Sequence, residues 1–523
     1  MKALPREPVT QSERTVITQR MREAELSLKE CEAEINRLKA SLMSMEGRRD
    51  RLKRTLEQCR SVLAPVHQLP PEVVKEVFTQ LCRTSASLNL TTMQQLLIPV
   101  VLSWVCGRWR HICLSLPDLW SEVRLVAFNG PTEEDLKRGQ LQRVIKAFME
   151  RSRSHQLQIT VFVRKDIDKL VKQGLNDGLG LALEALAEHS EHWSELTIGT
   201  HLSVINHPAL SKINSKLPKL RTLCIEAQSS RTQAELEFFH SLPALRNLSL
   251  SLKRPIDVRG CLPWPRVRDL TLTLRSTAPS APAFLSLCPN LIRLTLSDKT
   301  KDVSHDGHIA SNLESLVIRP HTVSFFDRVS LPRLTSFKVY PVPDAVLDDK
   351  TWDDTSFCAM VIRSGCSLTY LSLVDLDISD EQVIRILKLT PALNHLRIHE
   401  RKRSAIDSGE SSAGLGNRVL TADFLNQLVV HAECTTLRGA PALLVPRLTE
   451  LKVDVHAHDL DATAFAEAVT SRWLPEPDVR VKIGVESLQS VEVGFIEEVE
   501  SIPEKLAALR CFSDVGMRVS IGR

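Results

Sequence analysis

Two pairs of histidines flanked by carboxylates are the first places in this 523-residue sequence where chemistry could be expected. His189 and His192 lie three residues apart beside two glutamates, and His456 and His458 lie near two aspartates. Imidazole and carboxylate groups can together bind a metal ion such as zinc. A solvated helix end is the simpler explanation for the first pair, and the second pair has the same character. We therefore predict no metal site at either place.

A third group contains Cys106, His111 and Cys113. All three residues fall within one helical pattern, and the apolar face of that helix explains both cysteines. The sequence also lacks a phosphate-binding glycine loop, a His-Glu-x-x-His helix, a Gly-x-Ser-x-Gly turn and a paired Cys-x-x-Cys motif. We therefore expect no catalytic residue, no cofactor and no enzyme activity of the chain itself.

The segment from Leu69 to Trp120 organises the rest of the chain. Pro71 stands where a first-turn proline belongs, which predicts a helix beginning there. The apolar residues that follow have helical spacing, as Val73, Val74, Val77, Phe78 and Leu81. A second helical stripe starts near Pro99 and contains Ile98, Val101, Leu102, Val105, Cys106, Trp109, Ile112 and Cys113. A module this small buries little surface, so we expect another protein to complete its apolar face; the alternative is a helical subdomain packed on its own chain.

This segment resembles an F-box. Leu69 and Pro70 match the opening Leu-Pro pair of that family, and its Val-Cys-x-x-Trp segment is matched by Val105, Cys106 and Trp109. The resemblance implies that the segment docks on the Skp adaptor of a Skp-cullin-F-box ubiquitin ligase. The expected adaptor-binding residues are Leu69, Pro70, Val73, Val77, Phe78, Val105, Cys106 and Trp109. The polar insertion from Ser85 to Gln95 departs from a compact F-box and leaves the helix order in the middle of the module open.

The composition is that of an ordinary globular protein of two or three domains, with 43% apolar residues, 25% charged residues and a net charge of +4. This charge does not call for a nucleic-acid partner. The twelve cysteines have no regular spacing, which suits a reducing compartment where they act as small core residues. No apolar run is long enough to span a membrane. We expect a soluble intracellular protein, cytoplasmic or nuclear.

After a flexible N-terminus of residues 1–12, a coiled-coil helix is predicted over residues 13–63. Its apolar or small residues recur at alternating steps of three and four, which is typical of a left-handed coiled coil. They are Met21, Ala24, Leu28, Cys31, Ile35, Leu38, Leu42, Met45, Leu52, Leu56, Cys59 and Leu63, and Arg49 interrupts the series. This seam needs a partner, either a helix elsewhere or a second copy. A homodimer through residues 21–63 is the simpler interpretation.

The basic cluster from Arg48 to Arg54 has two explanations. It could be a nuclear-import or nucleic-acid-binding patch. Alternatively, it forms the solvated face of the coiled coil. We favour this second interpretation, because Asp50 interrupts the cluster and Leu52 continues the apolar seam.

Beyond an F-box-like domain of residues 64–122, residues 123–523 are predicted to form irregular leucine-rich repeats. A short phrase with alternating apolar residues recurs, as in Leu245–Leu250 and Val267–Leu272. Its copies start at residues 193, 220, 245, 267, 291, 313, 334, 368, 393 and 448, and most intervals lie near the leucine-rich period. Each alternating pair should point inward from one strand of a parallel sheet, with Ser249 or Thr271 pointing outward. Helices between the strands should cover the other side and leave a concave face. No regular Asn or Cys follows the strands, so the repeats are irregular.

The 55-residue interval between residues 393 and 448 contains a polar run that predicts a mobile loop over about 401–418. A helix from Thr421 to His431 follows, which indicates one repeat hidden in the interval. Further on, helices are predicted at Ala464–Ser471 and Glu504–Leu509, and strands at Ser490–Val493 and Met517–Ile521. These segments are expected to cap the open end of the repeats.

The predicted fold is therefore α/β, with a coiled-coil helix, a small all-α F-box module and a leucine-rich-repeat solenoid built on a parallel sheet. This layout is similar to that of the large families of F-box proteins in mushroom-forming fungi. It implies a non-catalytic substrate receptor in ubiquitin-dependent protein degradation, with the repeats binding an unknown target protein. The alternative is a coiled-coil interaction scaffold without a ligase, and an enzyme is a distant third.

Overall fold

The structure is a computed structural model. It describes residues 10–85, 88–89, 97–127, 140–163, 176–201, 208–211, 213, 217–228, 239–252, 260, 262–275, 281–299, 307–319, 323–340, 352–401, 418–431, 443–497, 499 and 501–522. Most of the predicted flexible N-terminus, of the polar insertion and of the predicted mobile loop lies outside these residues. The chain forms two compact units, Met1–Val77 and Phe78–Arg523, which are described separately.

The first unit is dominated by one long helix, α1 (Gln11–Val62). Its start is capped by Glu13, whose carboxylate accepts hydrogen bonds from the backbone N–H of Thr10 at 3.0 Å and from the Thr10 hydroxyl at 2.8 Å. No residue of α1 is buried. A 3₁₀ turn at Pro65–His67 leads to helix α2 (Pro71–Ser85), which begins at the proline that the sequence indicated and continues into the second unit. The predicted long N-terminal helix is confirmed.

The second unit opens with short helices. Helix α3 (Ile98–Val105) and helix α4 (Gly107–Ser115) are followed by a 3₁₀ turn at Pro117–Trp120. The two or three short helices predicted for this module are present, but the stripe from Ile98 to Cys113 is divided between two of them, because the chain is extended at Cys106, with φ −158° and ψ 169°. The break turns one periodic stripe into two helices that pack against each other.

A 15-stranded sheet is the main feature of the described part of the second unit, and its strands are all parallel and follow one another in chain order. The strands are β1 (Leu88–Asn89), β2 (Glu122–Ala127), β3 (Leu157–Val163), β4 (Trp193–His201), β5 (Thr222–Gln228), β6 (Asn247–Leu252), β7 (Asp269–Arg275), β8 (Arg293–Lys299), β10 (Ser315–Ile318), β12 (Ser336–Val339), β13 (Tyr370–Val374), β14 (His395–His399), β15 (Glu450–Val455), β16 (Ser490–Phe495) and β17 (Arg518–Ile521). Strands β9 (Ile309–Ala310) and β11 (Val329–Ser330) form a separate parallel pair. The predicted mixed α/β class and large parallel sheet are confirmed.

Two rows of apolar side chains run across this sheet in register. One row passes through Leu248, Leu270 and Leu294, and the other lies two residues further along each strand. These three leucines are each 1–2% exposed. Fully burying a leucine side chain stabilises a fold by about 1.5–3 kcal/mol, so the repeated pair accounts for much of the sheet's stability. The row changes to an aromatic residue at Phe337, which stacks on Phe357 with ring centroids 4.4 Å apart.

Helices connect many of the strands, as the alternation of periods predicted. They are α5 (Gln140–Ser152), α6 (Asn176–Ala187), α7 (Pro208–Ser211), α8 (Ala281–Leu287), α9 (Val323–Asp327), α10 (Asp354–Ser364), α11 (Asp380–Lys388), α12 (Ala422–Leu428), α13 (Ala462–Ser471), α14 (Pro477–Ile483) and α15 (Glu504–Ala508). In α11 the apolar residues Val383, Ile386 and Leu387 are buried, while a Ser379 capping box starts the helix.

The hidden repeat predicted between residues 393 and 448 was wrong. Strand β14 is hydrogen-bonded directly to β15, with His395 opposite Glu450, so no strand can lie between them. Among the described residues of this interval, Glu400 is 8% exposed and contacts the segment before α12. Its carboxylate accepts the backbone N–H groups of Val419 and Leu420, each at 3.2 Å, just before α12 begins.

The C-terminal strands extend the sheet instead of capping it, which corrects the prediction. Strand β16 pairs with β15, and β17 pairs with β16, both in parallel. Strand β17 is therefore the last strand of the described sheet. It is only four residues long, which limits the number of unpaired backbone groups at that edge.

Candidate functional site

Helices α3 and α4 leave large apolar side chains in water. Trp104 is 61% exposed, Val105 is 55% exposed and Leu114 is 38% exposed. The opposite side of these helices is covered, since Leu102, Ile112 and Cys113 are all buried. Two short helices with buried residues on one side and large exposed apolar residues elsewhere present a surface suited to a protein partner.

The predicted adaptor-binding residues are divided between the two units. In the first unit Leu69 is 37%, Val73 is 44% and Val77 is 46% exposed, and Pro70 is also exposed. In the second unit Val105 is exposed, whereas Cys106 and Trp109 are half-buried.

Phe78 was predicted to bind the adaptor, but its side chain does not face solvent. Its side chain is 1% exposed and meets the Trp109 ring edge to face, with the ring centroids 4.9 Å apart. Helical periodicity identifies an apolar stripe but not which part of it is covered by the same chain. Phe78 therefore contributes to the core of the module.

Cys106 and Trp109 have a structural role in the break between α3 and α4. The Cys106 sulfur accepts a hydrogen bond from the backbone N–H of Trp109 at 3.5 Å, and so caps α4. The Trp109 indole nitrogen is buried, with no hydrogen-bond partner among the described residues. Replacing Trp109 would thus disturb packing as well as any partner contact, and Val105 is the cleaner probe of binding.

Two cysteines lie in the buried side of the module. Burial raises the pKa of Cys82 to about 12 and the pKa of Cys113 to about 11. Both thiols are protonated at neutral pH, and a protonated thiol is a poor nucleophile and a poor metal ligand. They act as apolar core residues.

One histidine of each pair considered for metal binding has another partner. The Nδ1 atom of His192 lies 3.2 Å from Nζ of Lys219. His456 is 4% exposed, with Nδ1 3.0 Å from Glu497 Oε1 and Nε2 2.9 Å from the Arg401 carbonyl oxygen. Within the described ranges, no three His, Cys, Asp or Glu side chains are grouped so that they could hold a metal ion.

The outward face of the sheet is a second candidate surface, and one row of side chains crosses it in register. Between β5 and β8 this row is small and neutral, as Cys224, Ser249, Thr271 and Thr295. From β12 to β16 it becomes mostly charged, as Lys338, Arg397, Lys452 and Glu492, and the neutral Ser372 on β13 is buried. The two halves of one face thus differ in chemistry, although the strands beneath them are alike.

Contacts between polar side chains connect strands in the charged half. His395 on β14 lies 3.2 Å from Glu450 on β15, and Glu450 lies 3.5 Å from Arg518 on β17, two strands further along the sheet. Lys452 pairs with Glu492. Opposite charges on adjacent strands stabilise a sheet modestly and fix the positions of long side chains, so this half offers a partner an ordered pattern of charge.

Asp454 is the most enclosed carboxylate of this pattern. Its Oδ2 atom lies 3.1 Å from Nδ1 of His399 and 3.5 Å from Arg397, and these neighbours hold the pKa of Asp454 below its ordinary value, His399 having the largest effect. On the next strand, a Cβ at Gly494 would lie 2.2 Å from Asp454 Oδ1. Glycine at that position leaves room for the carboxylate.

Replacing Asp454 by asparagine is expected to destabilise the fold by about 1 kcal/mol at pH 7, the scale of a partly exposed ion pair. A carboxylate with a lowered folded-state pKa stabilises at every pH above its unfolded value near 3.9 and loses that contribution as the pH falls through the folded value. The urea midpoints of the wild type and the variant should therefore converge as the pH falls below about 4. A difference that does not shrink below about pH 4 would contradict this assignment.

An open groove of about 720 Å³ lies where strands β5 to β7 begin. Arg221, Arg246 and Arg268 each precede one of these strands, and all three are exposed. Backbone hydrogen bonds place them at successive strand positions, from Arg246 N to Arg221 O at 2.9 Å and from Arg268 N to Arg246 O at 2.8 Å. Arg266 and Arg333 also line the groove, together with a single acidic residue, Glu314. This groove, here called the arginine groove, favours an anionic ligand.

No protein-family model matches the chain, and no curated protein matches it. Among solved structures, the chain is similar to the crystal structure of a Bacteroides fragilis protein, a structural genomics target, at 13% sequence identity and a TM-score of 0.27. The alignment covers 69% of this chain and 74% of that chain. A similarity this low does not indicate a function, so the functional argument depends on the residues of the chain itself.

Sequence reasoning missed several residues of these surfaces. Trp104 and Leu114 are exposed, but they lie beside the apolar stripe that directed attention to Val105 and Trp109. Trp104 was the available signal for this exposed surface. The apolar stripe from Ile98 to Cys113 already supplies the buried side, so a tryptophan beside it has to lie elsewhere. The arginine groove had a weaker signal, namely an arginine immediately before three successive strands.

No described helix combines the length and the apolar character needed to cross a membrane.

Proposed function

We propose that this chain is the substrate receptor of a Skp-cullin-F-box ubiquitin ligase inside the cell. In this proposal, residues 64–122 act as an F-box that binds the Skp adaptor, and through it a cullin. The parallel sheet and its helices act as an irregular leucine-rich-repeat solenoid that binds a target protein for ubiquitin-dependent degradation.

The observation that carries the adaptor half is the exposure of Trp104, Val105 and Leu114 on α3 and α4. Tryptophan is among the residues that usually contribute most to the binding energy of a protein interface, and exposed aliphatic side chains beside it can form the apolar centre of such an interface. Val105 belongs to the segment that matches the F-box motif. The order of the motif along the chain and this exposure support the same role.

The target half is supported by the sheet. Strands in chain order, with matching apolar rows beneath and varied side chains above, provide a long surface that can be changed without changing the core. The arginine groove, at the edge of the sheet where β5 to β7 begin, is lined by five arginines and one glutamate, and an acidic segment of a target would be complementary to it.

Catalysis in this proposal belongs to the partners. The chain would hold a target lysine close to ubiquitin carried by another subunit, and such positioning accelerates a reaction by raising the effective concentration of the reacting groups. The receptor itself needs no nucleophile, metal or cofactor for this task.

The proposal is tested by co-expressing the full chain with a Skp adaptor and a cullin. We expect the three proteins to elute together in size-exclusion chromatography, with one copy of adaptor and cullin for each chain. If the adaptor binds without recruiting a cullin, or does not bind, the ligase role is wrong. The chain would then act as an interaction scaffold, a role that the uncovered apolar residues of α1 favour.

A further inference from the structure

Helix α1 exposes to water an apolar seam that only Arg49 interrupts. It has 52 residues and none of them is buried. Leu28, Leu38 and Leu52 on the seam are 59%, 60% and 62% exposed. A helix of this length extends about 78 Å. An apolar stripe of that length with a 3.5-residue period is stable in water only when another helix covers it.

The charges of α1 are distributed unevenly along its length. Residues 22–34 contain two basic and five acidic residues, a net charge of −3. Residues 39–51 contain four basic and two acidic residues, a net charge of +2. A partner that matches α1 should therefore be basic opposite the first segment and acidic opposite the second.

A second copy of α1 running in the same direction does not satisfy this requirement. It would bring each charged segment against its equivalent, and Arg49 would face Arg49 in the seam. Two exposed flanking pairs, Arg20 with Glu25 and Glu34 with Lys39, would attract each other in this arrangement. Exposed pairs contribute little, however, whereas two guanidinium groups facing each other in a desolvated seam cost much more.

A second copy running in the opposite direction does satisfy it. In one antiparallel register the numbers of two facing seam residues always add up to 73. In this register α1 overlaps its partner along the whole helix, and residues 22–34 lie against residues 39–51. Arg49 then faces the small residue Ala24, beside Glu25. The large seam residues face each other, as Met21 with Leu52, Leu28 with Met45 and Ile35 with Leu38. One flanking pair, Glu32 with Lys39, attracts, and another, Glu25 with Glu46, repels.

We propose that α1 forms an antiparallel coiled coil with α1 of a second copy of this chain, in the register that places Ala24 opposite Arg49. The seam supplies the apolar contact, and the charge distribution together with Arg49 selects the direction. The pairing does not depend on the proposed ligase role, because α1 lies in the first unit, before the F-box-like segment.

Cysteine cross-linking in the full chain tests the direction. Cys31, Cys59 and Cys511, which are the exposed cysteines among the described residues, are replaced by serine. Met21→Cys and Leu52→Cys are then introduced into two separate chains that carry tags of different size. After co-expression and treatment with a short bismaleimide, we expect the mixed dimer cross-linked between positions 21 and 52, located by mass spectrometry. Met43→Cys, an exposed position outside the seam, is the control and should not cross-link.

Each other outcome overturns the proposal. Cross-links joining position 21 to 21, or 52 to 52, would show parallel helices. A mass of one chain per particle in light scattering, for the chain purified alone at tens of micromolar, would show that α1 has a different partner. A dimer mass that persists after removal of residues 1–61 would show that the second unit, not α1, joins the copies.

Discussion

Replacing Val105 by aspartate is expected to weaken binding of the Skp adaptor by about 100-fold or more, a loss of about 2.7 kcal/mol. Val105 is 55% exposed at the end of α3, within the segment that matches the F-box motif. Aspartate at this position stays hydrated in the free protein, but it would be stripped of water without a partner charge in the complex. The effect on binding should therefore far exceed the effect on folding.

Val481→Asp is the matched control, because Val481 is 84% exposed on α14 and lies outside the F-box-like segment. It should leave adaptor binding unchanged. Trp104→Asp should weaken binding as Val105→Asp does, since Trp104 is the larger exposed side chain beside it. Equal affinities of the wild type and both α3 variants, with unchanged thermal midpoints, would remove this surface from the interface.

Replacing Arg472 by leucine is expected to destabilise the second unit by about 3–5 kcal/mol. Arg472 is 2% exposed and follows α13. Its guanidinium donates to three backbone carbonyl oxygens, those of Leu428 at 2.6 Å, Val445 at 3.0 Å and Leu444 at 2.5 Å. Burial lowers the pKa of Arg472 to about 10, so the group remains protonated at pH 7. Leucine would leave all three acceptors buried and unpaired.

The urea midpoint of the second unit measures this effect. Arg221→Leu is the control, since Arg221 is exposed and its loss should change the midpoint little. Arg472→Lys should recover only part of the stability that Arg472→Leu loses. The lysine ammonium group can still donate to a carbonyl oxygen, but it cannot reach all three acceptors that the planar guanidinium reaches. A midpoint for Arg472→Leu close to that of the wild type would show that the carbonyl groups find water or other donors.

The long helix and the parallel sheet were predictable because both depend on local periodicity. Pro71 marked the start of α2, and the alternation of Leu248 with Leu250 marked a strand that buries one face. Where the strand phrase recurred at similar intervals, the chain order of the sheet followed from the short connections. These features require no knowledge of distant contacts.

The errors arose where the length of an interval, or an uninterrupted helical period, was used to predict which elements a segment forms. The 55-residue interval before β15 was long enough for a further repeat, but β14 pairs directly with β15, which leaves no place for another strand between them. The stripe from Ile98 to Cys113 kept its period across the break at Cys106, since two helices at an angle can each use half of one pattern. Gly107 was the available signal for that break.

The candidate site was predictable in composition but not in orientation. Val105 and Phe78 both belong to apolar stripes, yet one is exposed and the other is buried against Trp109. The difference depends on how α2 and α4 meet, which periodicity does not contain. Arg472 shows the same limit, because its three acceptors lie 27 to 44 residues before it in the sequence.

Direct binding of the purified full-length chain to a purified Skp adaptor is the measurement closest to the central claim. Biolayer interferometry with the adaptor immobilised would give the affinity, and light scattering of the complex would give its stoichiometry. We expect one adaptor for each chain and a dissociation constant of about 1 µM or tighter, which corresponds to about −8 kcal/mol. A wild-type chain that shows no binding at about 50 µM, while a known F-box protein binds the same adaptor preparation, would contradict the account.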